Sequence, residues 1–396
     1  MREAWEVRKL GEVCRLLNGR AYKKSELLED GKYPVLRVGN FFSNRSWYYS
    51  DLELEEDKYC DEGDLLYAWS ASFGPRIWNG PRVIYHYHIW KCDLNDSEIN
   101  KRFLLHWFDW DTDRIRSEQG TGTTMIHVSK SSMEKREICL PPLAEQKRIV
   151  AVLDEAFAAI ERAKEIAQQN LANARELFES YLNRVFTEKG EGWEEKTLEE
   201  LGSTQTGSTP KKANKSDYGE YIPFVKPSDF LKDGTLNLKN NGLSEEGLAN
   251  ARVIPEGSAL MVCIGATIGK SGFSDSRITT NQQINAFIPD DEIDYRFAYY
   301  TFVTRDFQRS VIRNSGQATL PIISKSKWSR LSICYPDKEG QLRIINTLDH
   351  LRQLQISLEV RINKKLEALD ELKQSILQKA FTGQLTGVAR DLELAS

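Results

Sequence analysis

Two sets of cations recur along this chain, each with polar loops beside it. Arg20, Lys23 and Lys24 are matched by Lys211, Lys212 and Lys215. The segment PVLRVGNF supplies Arg37 and Asn40 where PFVKPSDF supplies Lys226 and Ser228, and Lys270 follows a glycine-rich GATIG. Two further loops, SEQGTGTTMIHVSK and NSGQATLPIISK, carry Thr121, Thr123, Thr124 and Lys130 in one and Gln317, Thr319 and Lys325 in the other. Clustered Lys and Arg neutralise phosphates, whereas amides and hydroxyls hydrogen-bond base edges. The chemistry these residues fit is nucleic-acid recognition. Any one of them alone reads equally as part of a solvated loop; recurrence in both halves separates the sets from that background.

Bond-making chemistry has no comparable signal. The chain holds no G-x-x-x-x-G-K-[ST] phosphate loop, no glycine-rich adenosylmethionine fingerprint with a following (Asn/Asp)-Pro-Pro-aromatic loop, and no G-x-S-x-G. His86 and His88 alternate in YHYHIW, but no third ligand stands at usable spacing, so a role on a strand face is the reading preferred to a zinc pair. GATIG, Gly265 to Gly269, lacks the lysine-serine of a phosphate cradle and reads as a tight turn. No catalytic residue and no metal ligand is assigned.

Composition narrows the class. The net charge is −4, which argues against nonspecific nucleic-acid binding by a basic domain. Residues 1–143 hold 21 Lys/Arg against 23 Asp/Glu and residues 196–340 hold 18 against 17, so contact with nucleic acid must come from local clusters, with partner subunits adding positive surface. Six cysteines lie scattered without a C-x-x-C pair, and Cys139 and Cys334 share one repeat position among apolar residues. Core thiols in a reducing compartment are expected. No run approaches the roughly 18 apolar residues of a membrane helix, and the amino terminus lacks a signal-peptide apolar stretch; a soluble, cytoplasmic protein is expected.

These residues sit on a duplicated frame. Residues 129–187 recur at 324–382 with a constant offset of 195: Ser129 pairs with Ser324, Ile138 with Ile333, Gln146 with Gln341, Arg148 with Arg343 and Asp154 with Asp349. Upstream, Trp5, Gly19 and Lys23 match Trp193, Gly207 and Lys211 at offset 188, and Gly63 and Gly74 stand opposite Gly257 and Gly269. The period is too long for a solenoid. Each half is a variable segment of short β-like runs and Gly-, Asn- and Ser-rich turns, with helical stretches such as 100–118 and 294–313, followed by a helical tail. The expected fold class is α+β: two globular domains related by a pseudo-twofold axis and separated by two long helices in an antiparallel coiled coil. The boundaries are 1–142, helix 143–188, 189–337, helix 338–386, and a tail 387–396.

Between Leu143 and Phe186 there is no Gly or Pro, and Pro141 and Pro142 stand at a helix start. A strict 4-3 spacing picks out Ile149, Leu153, Ala156, Ile160, Ala163, Ala167, Asn170, Ala174, Leu177 and Tyr181. The second tail gives Ile344, Leu348, Leu351, Gln355, Leu358, Ile362, Lys365, Leu369, Leu372 and Ile376. Both are coiled-coil seams. The first is rich in alanine and the second in leucine and isoleucine, so pairing within one molecule suits them better than self-association. Asn170, Gln355 and Lys365 either specify register or mark a hydrated midsection. A helix over 144–186 would span about 65 Å and could hold two domains at a fixed separation.

WEVRKLGEV and WEEKTLEELGSTQTGSTPKK opening the halves, ICLPPLAEQKRIVAVLD closing the first, and LKQSILQKAFTGQL near the end resemble the specificity subunit of type I restriction-modification systems. The resemblance covers nearly the whole chain. The second junction, YPDKEGQLRI, departs from the double-proline form but keeps Gln341 and Arg343. What the resemblance implies is a noncatalytic subunit whose two target-recognition domains each read half of a split sequence in double-stranded DNA. Two modification subunits carrying S-adenosylmethionine would dock on it and methylate adenines, and two motor-nuclease restriction subunits, with ATP and Mg, could join for cleavage. No cofactor is expected on the chain itself. Other readings are the specificity subunit of a system with fused methyltransferase and nuclease, a coiled-coil scaffold that binds only proteins, or an enzyme with an unrecognised site. The scaffold would lack salt-dependent duplex affinity, and the enzyme would turn over alone.

Overall fold

The computed structural model describes residues 5–43, 46–70, 73–118, 128–211, 213–316 and 320–385. The chain divides into two units, Met1–Ile166 with Lys365–Ser396, and Ala167–Lys364. Unit 1 contains strands β1 (Glu6–Lys9), β2 (Cys14–Asn18), β3 (Tyr33–Leu36), β4 (Tyr48–Ser50), β5 (Tyr59–Cys60), β6 (Leu65–Ala68), β7 (Gly74–Ile77), β8 (Val83–Tyr85), β9 (Ile89–Leu94) and β10 (Glu137–Leu140). Its helices are α1 (Leu10–Val13), α2 (Val38–Phe42), α3 (Lys101–Glu118), α4 (Lys130–Glu134) and the first half of α5 (Leu143–Glu188). Unit 2 contains β11 (Glu194–Thr197), β12 (Gly202–Thr206), β13 (Tyr218–Val225), β14 (Gly242–Leu243), β15 (Val253–Ile254), β16 (Ser258–Val262), β17 (Ser271–Ser274), β18 (Ile278–Thr280), β19 (Ile284–Pro289) and β20 (Ser332–Tyr335). Its helices are α6 (Glu245–Leu248), α7 (Tyr295–Phe302), α8 (Arg305–Asn314), α9 (Lys325–Ser329) and the first part of α10 (Lys338–Phe381).

The sheets repeat strand for strand. Unit 1 has orders β2-β9-β6-β7 and β4-β3-β8-β5 with a β1-β10 pair, and unit 2 has β12-β19-β16-β17 and β14-β13-β18-β15 with β11-β20. In each, one pair is parallel, β3 with β8 and β13 with β18. The turn before the buried strand β6 needs Gly63 at φ 90°, and its counterpart before β16 needs Gly257 at φ 73°, a region that costs other residues free energy. Both glycines donate the same bond, to Trp78 O and Ser274 O at 2.8 Å.

Three sequence expectations change in detail. The stretch 294–313 breaks into α7 and α8 because Thr304 caps the second helix, its hydroxyl donating back to Thr301 O at 2.7 Å and accepting from Phe307 N at 3.4 Å. PVLRVGNF ends as a strand at Leu36 and turns into α2. His86 and His88 do not lie on a strand face: β8 ends at Tyr85 and β9 begins at Ile89, with a turn between them. The four cysteines Cys14, Cys60, Cys92 and Cys263 are buried, while Cys139 and Cys334 are half-buried; Lys189 Nζ donates to Cys334 Sγ at 3.0 Å.

Each helical tail is anchored by one buried glutamine. Gln146 donates to Pro141 O and Glu98 O, both at 2.8 Å, and accepts from Asn100 N at 2.7 Å. Gln341 donates to Pro336 O and Glu292 O, both at 2.9 Å, and accepts from Asp294 N at 2.8 Å. Two turns along, Asp154 takes Arg102 Nη2 at 2.6 Å and His106 Nε2 at 2.9 Å. Asp349 takes Arg296 Nη1 at 3.0 Å and the Tyr300 hydroxyl at 2.5 Å. Where the second junction lacks the second proline, Asp337 Oδ1 caps the helix by accepting from Gly340 N at 2.9 Å.

The helices are antiparallel within each unit. In unit 1, Lys373 Nζ lies 5.1 Å from the Phe157 ring and Lys164 Nζ 2.5 Å from Asp370. In unit 2, the Arg352 guanidinium lies 3.8 Å from the Phe178 ring and Arg175 Nε donates to Glu359 at 2.8 Å. At the 195 offset, Lys164 and Glu359 are one position, as are Arg175 and Asp370; the charges are exchanged between the copies. Two copies of α5 in this register would set Lys164 against Arg175, and two of α10 would set Glu359 against Asp370. Like charge therefore opposes self-pairing of either helix.

The seam keeps the 4-3 spacing at Ile149, Leu153, Ile160, Ala167, Leu348 and Ile362 and shifts from it by one residue elsewhere. Ile149, Leu153, Ile160, Ala167, Phe178 and Leu182 are buried on α5, and Ile345, Leu348, Ile362, Leu377 and Ala380 on α10. Leu153, Ile160 and Ala167 stand seven residues apart, but Phe178 follows Ala167 by eleven, about three turns at 3.6 residues each, where the 4-3 count allows ten, so the stripe moves one residue past the 3.5 repeat there. Three expected seam positions consequently face outward: Leu177 is 68% exposed, Leu358 40% and Leu372 47%. Their following residues, Phe178, Glu359 and Lys373, take the inward positions. Tyr181, Ile344, Leu369 and Ile376 are half-buried, and Asn170 and Lys365 are exposed. Gln355 Nε2 donates to Glu359 at 3.2 Å, making a polar layer with Arg175.

Leu153→Ala and Leu348→Ala should each lower stability by about 2 to 5 kcal/mol, and Leu177→Ala and Leu372→Ala by less than about 0.5 kcal/mol, in urea melts of the full chain. Equal losses at all four would restore the 3.5-residue seam. Glu359→Lys should cost about 1 to 3 kcal/mol, most of it recovered when combined with Arg175→Glu; an additive double variant would remove the charge-pairing argument.

Candidate nucleic-acid interface

In each unit a candidate cation stands at the carboxyl end of one of the two parallel strands, with the turn that follows the other strand beside it. In unit 1, Arg37 directly follows β3 and the turn His86–Tyr87–His88 directly follows β8. Arg20 joins them through its backbone, which donates to Tyr85 O at 3.0 Å and accepts from Tyr87 N at 3.1 Å. In unit 2, Lys226 follows β13, the turn Asn281–Gln282–Gln283 follows β18, and Ser208 N donates to Thr280 O at 2.9 Å. Ser208 stands where unit 1 has Arg20, and Lys226 where it has Arg37.

The cations are not equally available. Arg20 makes a two-bond pair with Glu26 at 3.2 and 2.8 Å, so its charge is balanced internally. Lys23, Lys24, Lys211 and Lys215 are exposed. Arg37 is half-buried with its guanidinium 4.9 Å from the Tyr48 ring, and Asn40 Nδ2 donates to Ser46 O at 3.1 Å. Lys226 Nζ donates to Asn241 Oδ1 at 2.6 Å, while Lys270 Nζ reaches Pro227 O at 3.0 Å, which draws Lys270 to the exposed Ser228 segment. Lys130 and Lys325 open α4 and α9: Lys130 lies 3.6 Å from Glu134 and Lys325 Nζ 3.5 Å from Thr204 O. Thr121, Thr123, Thr124, Lys212, Gln317 and Thr319 lie outside the described residues.

The 86–88 turn escaped the sequence reading because His-Tyr-His between β-forming residues passes for continuous strand. It is an aromatic group: Tyr87 and His88 ring centroids are 3.9 Å apart, His86 and His88 4.9 Å, and Trp69 and His88 5.0 Å. Burial, with help from His88 and Arg37, lowers the His86 pKa to about 4, so near neutral pH the ring offers one donor and one acceptor and no charge. The GATIG segment is a turn, with Gly265 and Gly269 at φ 101° and 88°. Among the described residues no cluster of His, Cys, Asp and Glu is arranged to hold a metal ion, and no helix is long and apolar enough to cross a membrane.

The depressed His86 pKa has a sign. The unfolded chain takes up this proton near pH 6.5 and the folded chain only near pH 4, so the group makes stability rise with pH across that window. Imidazole NMR should show His86 neutral at pH 6 with a midpoint near 4, and Arg37→Gln should raise it. A midpoint near 6.5 would contradict the buried, charge-flanked setting.

Known proteins share this fold. The chain matches the family described as type I restriction modification DNA specificity domain twice, over residues 2–169 and 190–368. It is 23% identical to the type I restriction enzyme EcoBI specificity subunit of Escherichia coli, across 97% of this chain and 87% of that one. It is 31% identical to the HindI specificity subunit of Haemophilus influenzae, across 49% of this chain and 42% of that one. Among solved structures, a chain from a study of complex assembly and conformational transition of the type I R-M system superposes with TM-score 0.78 at 20% identity, covering 97% of this chain and 99% of that one. The HsdS subunit from Thermoanaerobacter tengcongensis superposes with TM-score 0.59 at 20% identity, covering 97% and 98%.

Proposed function

The chain belongs to the type I restriction-modification DNA specificity family, and from that premise we propose that it is a noncatalytic subunit reading a split sequence in double-stranded DNA, one half with each unit. The observation that carries this reading is the repetition of one frame with different side chains at the same edge: Arg37 and His-Tyr-His in unit 1, Lys226 and Asn-Gln-Gln in unit 2. A protein that needed one surface twice would repeat the side chains too.

In this reading Lys23, Lys24, Lys211 and Lys215 neutralise phosphates and fix position, while neighbouring polar groups read bases. With a net charge of −4, the chain relies on partner subunits for further positive surface. Those partners are two modification subunits holding S-adenosylmethionine and two restriction subunits using ATP and Mg, with the cytoplasm as the compartment. Leu354 and Leu358, exposed and one turn apart on α10, support a docking role for that helix, since adjacent outward apolar residues favour a partner surface.

Replacing residues 1–142 by the equivalent segment of a relative should change one half of the methylated sequence and preserve the other, read by methylome sequencing of cells that also express the modification subunit. Alteration of both halves would contradict independent reading. Lys23→Ala with Lys24→Ala should weaken duplex binding without changing the sequence preferred and should reduce the slope of log affinity against log salt by about 1 to 2; an unchanged slope would remove these lysines from the phosphate contacts.

A further inference from the structure

The turns that join β8 to β9 and β18 to β19 are held by the same five backbone hydrogen bonds. Gly19 N donates to Ile89 O at 3.3 Å where Gly207 N donates to Ile284 O at 3.0 Å; Arg20 N to Tyr85 O at 3.0 Å where Ser208 N reaches Thr280 O at 2.9 Å. His86 N donates to Leu36 O at 2.9 Å, matched by Asn281 N to Val225 O at 3.1 Å. Ile89 N closes the turn onto His86 O at 3.0 Å as Ile284 N does onto Asn281 O at 3.2 Å, and Trp69 N to His88 O at 3.0 Å answers Cys263 N to Gln283 O at 2.7 Å. Both turns are also approached by a glycine that could be nothing else. A Cβ on Gly19 would lie 2.4 Å from Tyr85 O, and one on Gly207 would lie 2.3 Å from Asn281 O.

The exposure pattern repeats as well. In each triplet the middle residue, Tyr87 or Gln282, is exposed and its neighbours are half-buried. What does not repeat is the side-chain chemistry. Unit 1 presents aromatic rings packed on one another, with a phenol at the tip. Unit 2 presents amides, Asn281 Nδ2 donating to Gln283 Oε1 at 3.0 Å, with Gln282 at the tip beside Thr209. A turn serving only to connect strands has no reason to hold its backbone this closely while changing all three side chains between copies. A turn that presents side chains to different partners on a common frame does.

We infer that residues 86–88 and 281–283 are the base-reading turns of the two units, with Tyr87 and Gln282 as the leading contacts. The inference rests on the reading of the chain as a DNA-specificity subunit and names where in each unit the specificity resides. A Gln amide can pair with adenine at N6 and N7. A phenol and a neutral imidazole offer single donors and acceptors together with apolar ring edges that fit a thymine methyl. Arg37 and Lys226, each one residue past the parallel partner strand, supply cations at the same edge.

The test is competition binding with the complex of the full chain and its modification subunit. The probes are the duplex it methylates and two duplexes with one half or the other scrambled. Tyr87→Ala should cut discrimination at one half about tenfold or more and leave the other within about twofold, and Gln282→Ala should do the reverse. Gln282→Ala should melt like wild type, and Tyr87→Phe, which keeps the ring contacts with His86 and His88 and removes only the hydroxyl, should melt like wild type while still weakening discrimination at the same half as Tyr87→Ala. Loss of discrimination at both halves from one substitution would make the turn a structural element and overturn the inference, as would variants that discriminate like wild type. A wild-type complex indifferent to scrambling either half would overturn the DNA reading itself, and the inference with it.

Discussion

Both amide hydrogens of Gln146 and its carbonyl oxygen bond to backbone, and Gln341 repeats the arrangement atom for atom. Both side chains are fully buried, where an unpaired amide would be costly, so each must hold the loop before α3 or α7 and the second residue before its long helix in one geometry. Asp154 and Asp349 add a second point of attachment on the same helix faces. With two fixed points, the direction in which each helix leaves its globular part is set. The strands that lead into each junction, β10 and β20, are paired with β1 and β11 in the same antiparallel way, so both units repeat one frame.

On that frame the long helices must find each other and not themselves. Burial alone does not decide this, because both carry small and large apolar residues in their stripes. The exchanged charges at Lys164 and Glu359, and at Arg175 and Asp370, do. One position carries opposite signs in the two copies, which makes the cross pairing attractive and either self-pairing repulsive. Duplication of a single unit would have produced identical helices; divergence in sign at two positions supplies the distinction.

Much of this was legible in residue order. The 195-residue offset identified the repeat and paired Gln146 with Gln341, and the absence of Gly and Pro gave the long helices. What order could not convey was phase and closure. A 4-3 count forces a 3.5-residue period, whereas a straight helix drifts, so Leu177, Leu358 and Leu372 were assigned inward and lie outward. Glu359 was missed as an inward residue because its partner, Arg175, is distant in sequence. Arg20 looked like a free cation until Glu26 folded back onto it. The 86–88 turn was hidden because its residues favour strands as strongly as their neighbours do; only the backbone bonds that close it, shared with 281–283, reveal it.

In the function proposed for this chain, one frame is used twice to present different side chains to two parts of one DNA target. Site-specific photocrosslinking addresses it directly. Tyr87 or Gln282 is replaced by benzoylphenylalanine, the complex with the modification subunit is bound to the duplex it methylates, and the crosslinked bases are mapped. The account predicts that position 87 crosslinks within one half of the split sequence and position 282 within the other. Crosslinks from both positions to the same half, or to neither while the complex is bound, would contradict it.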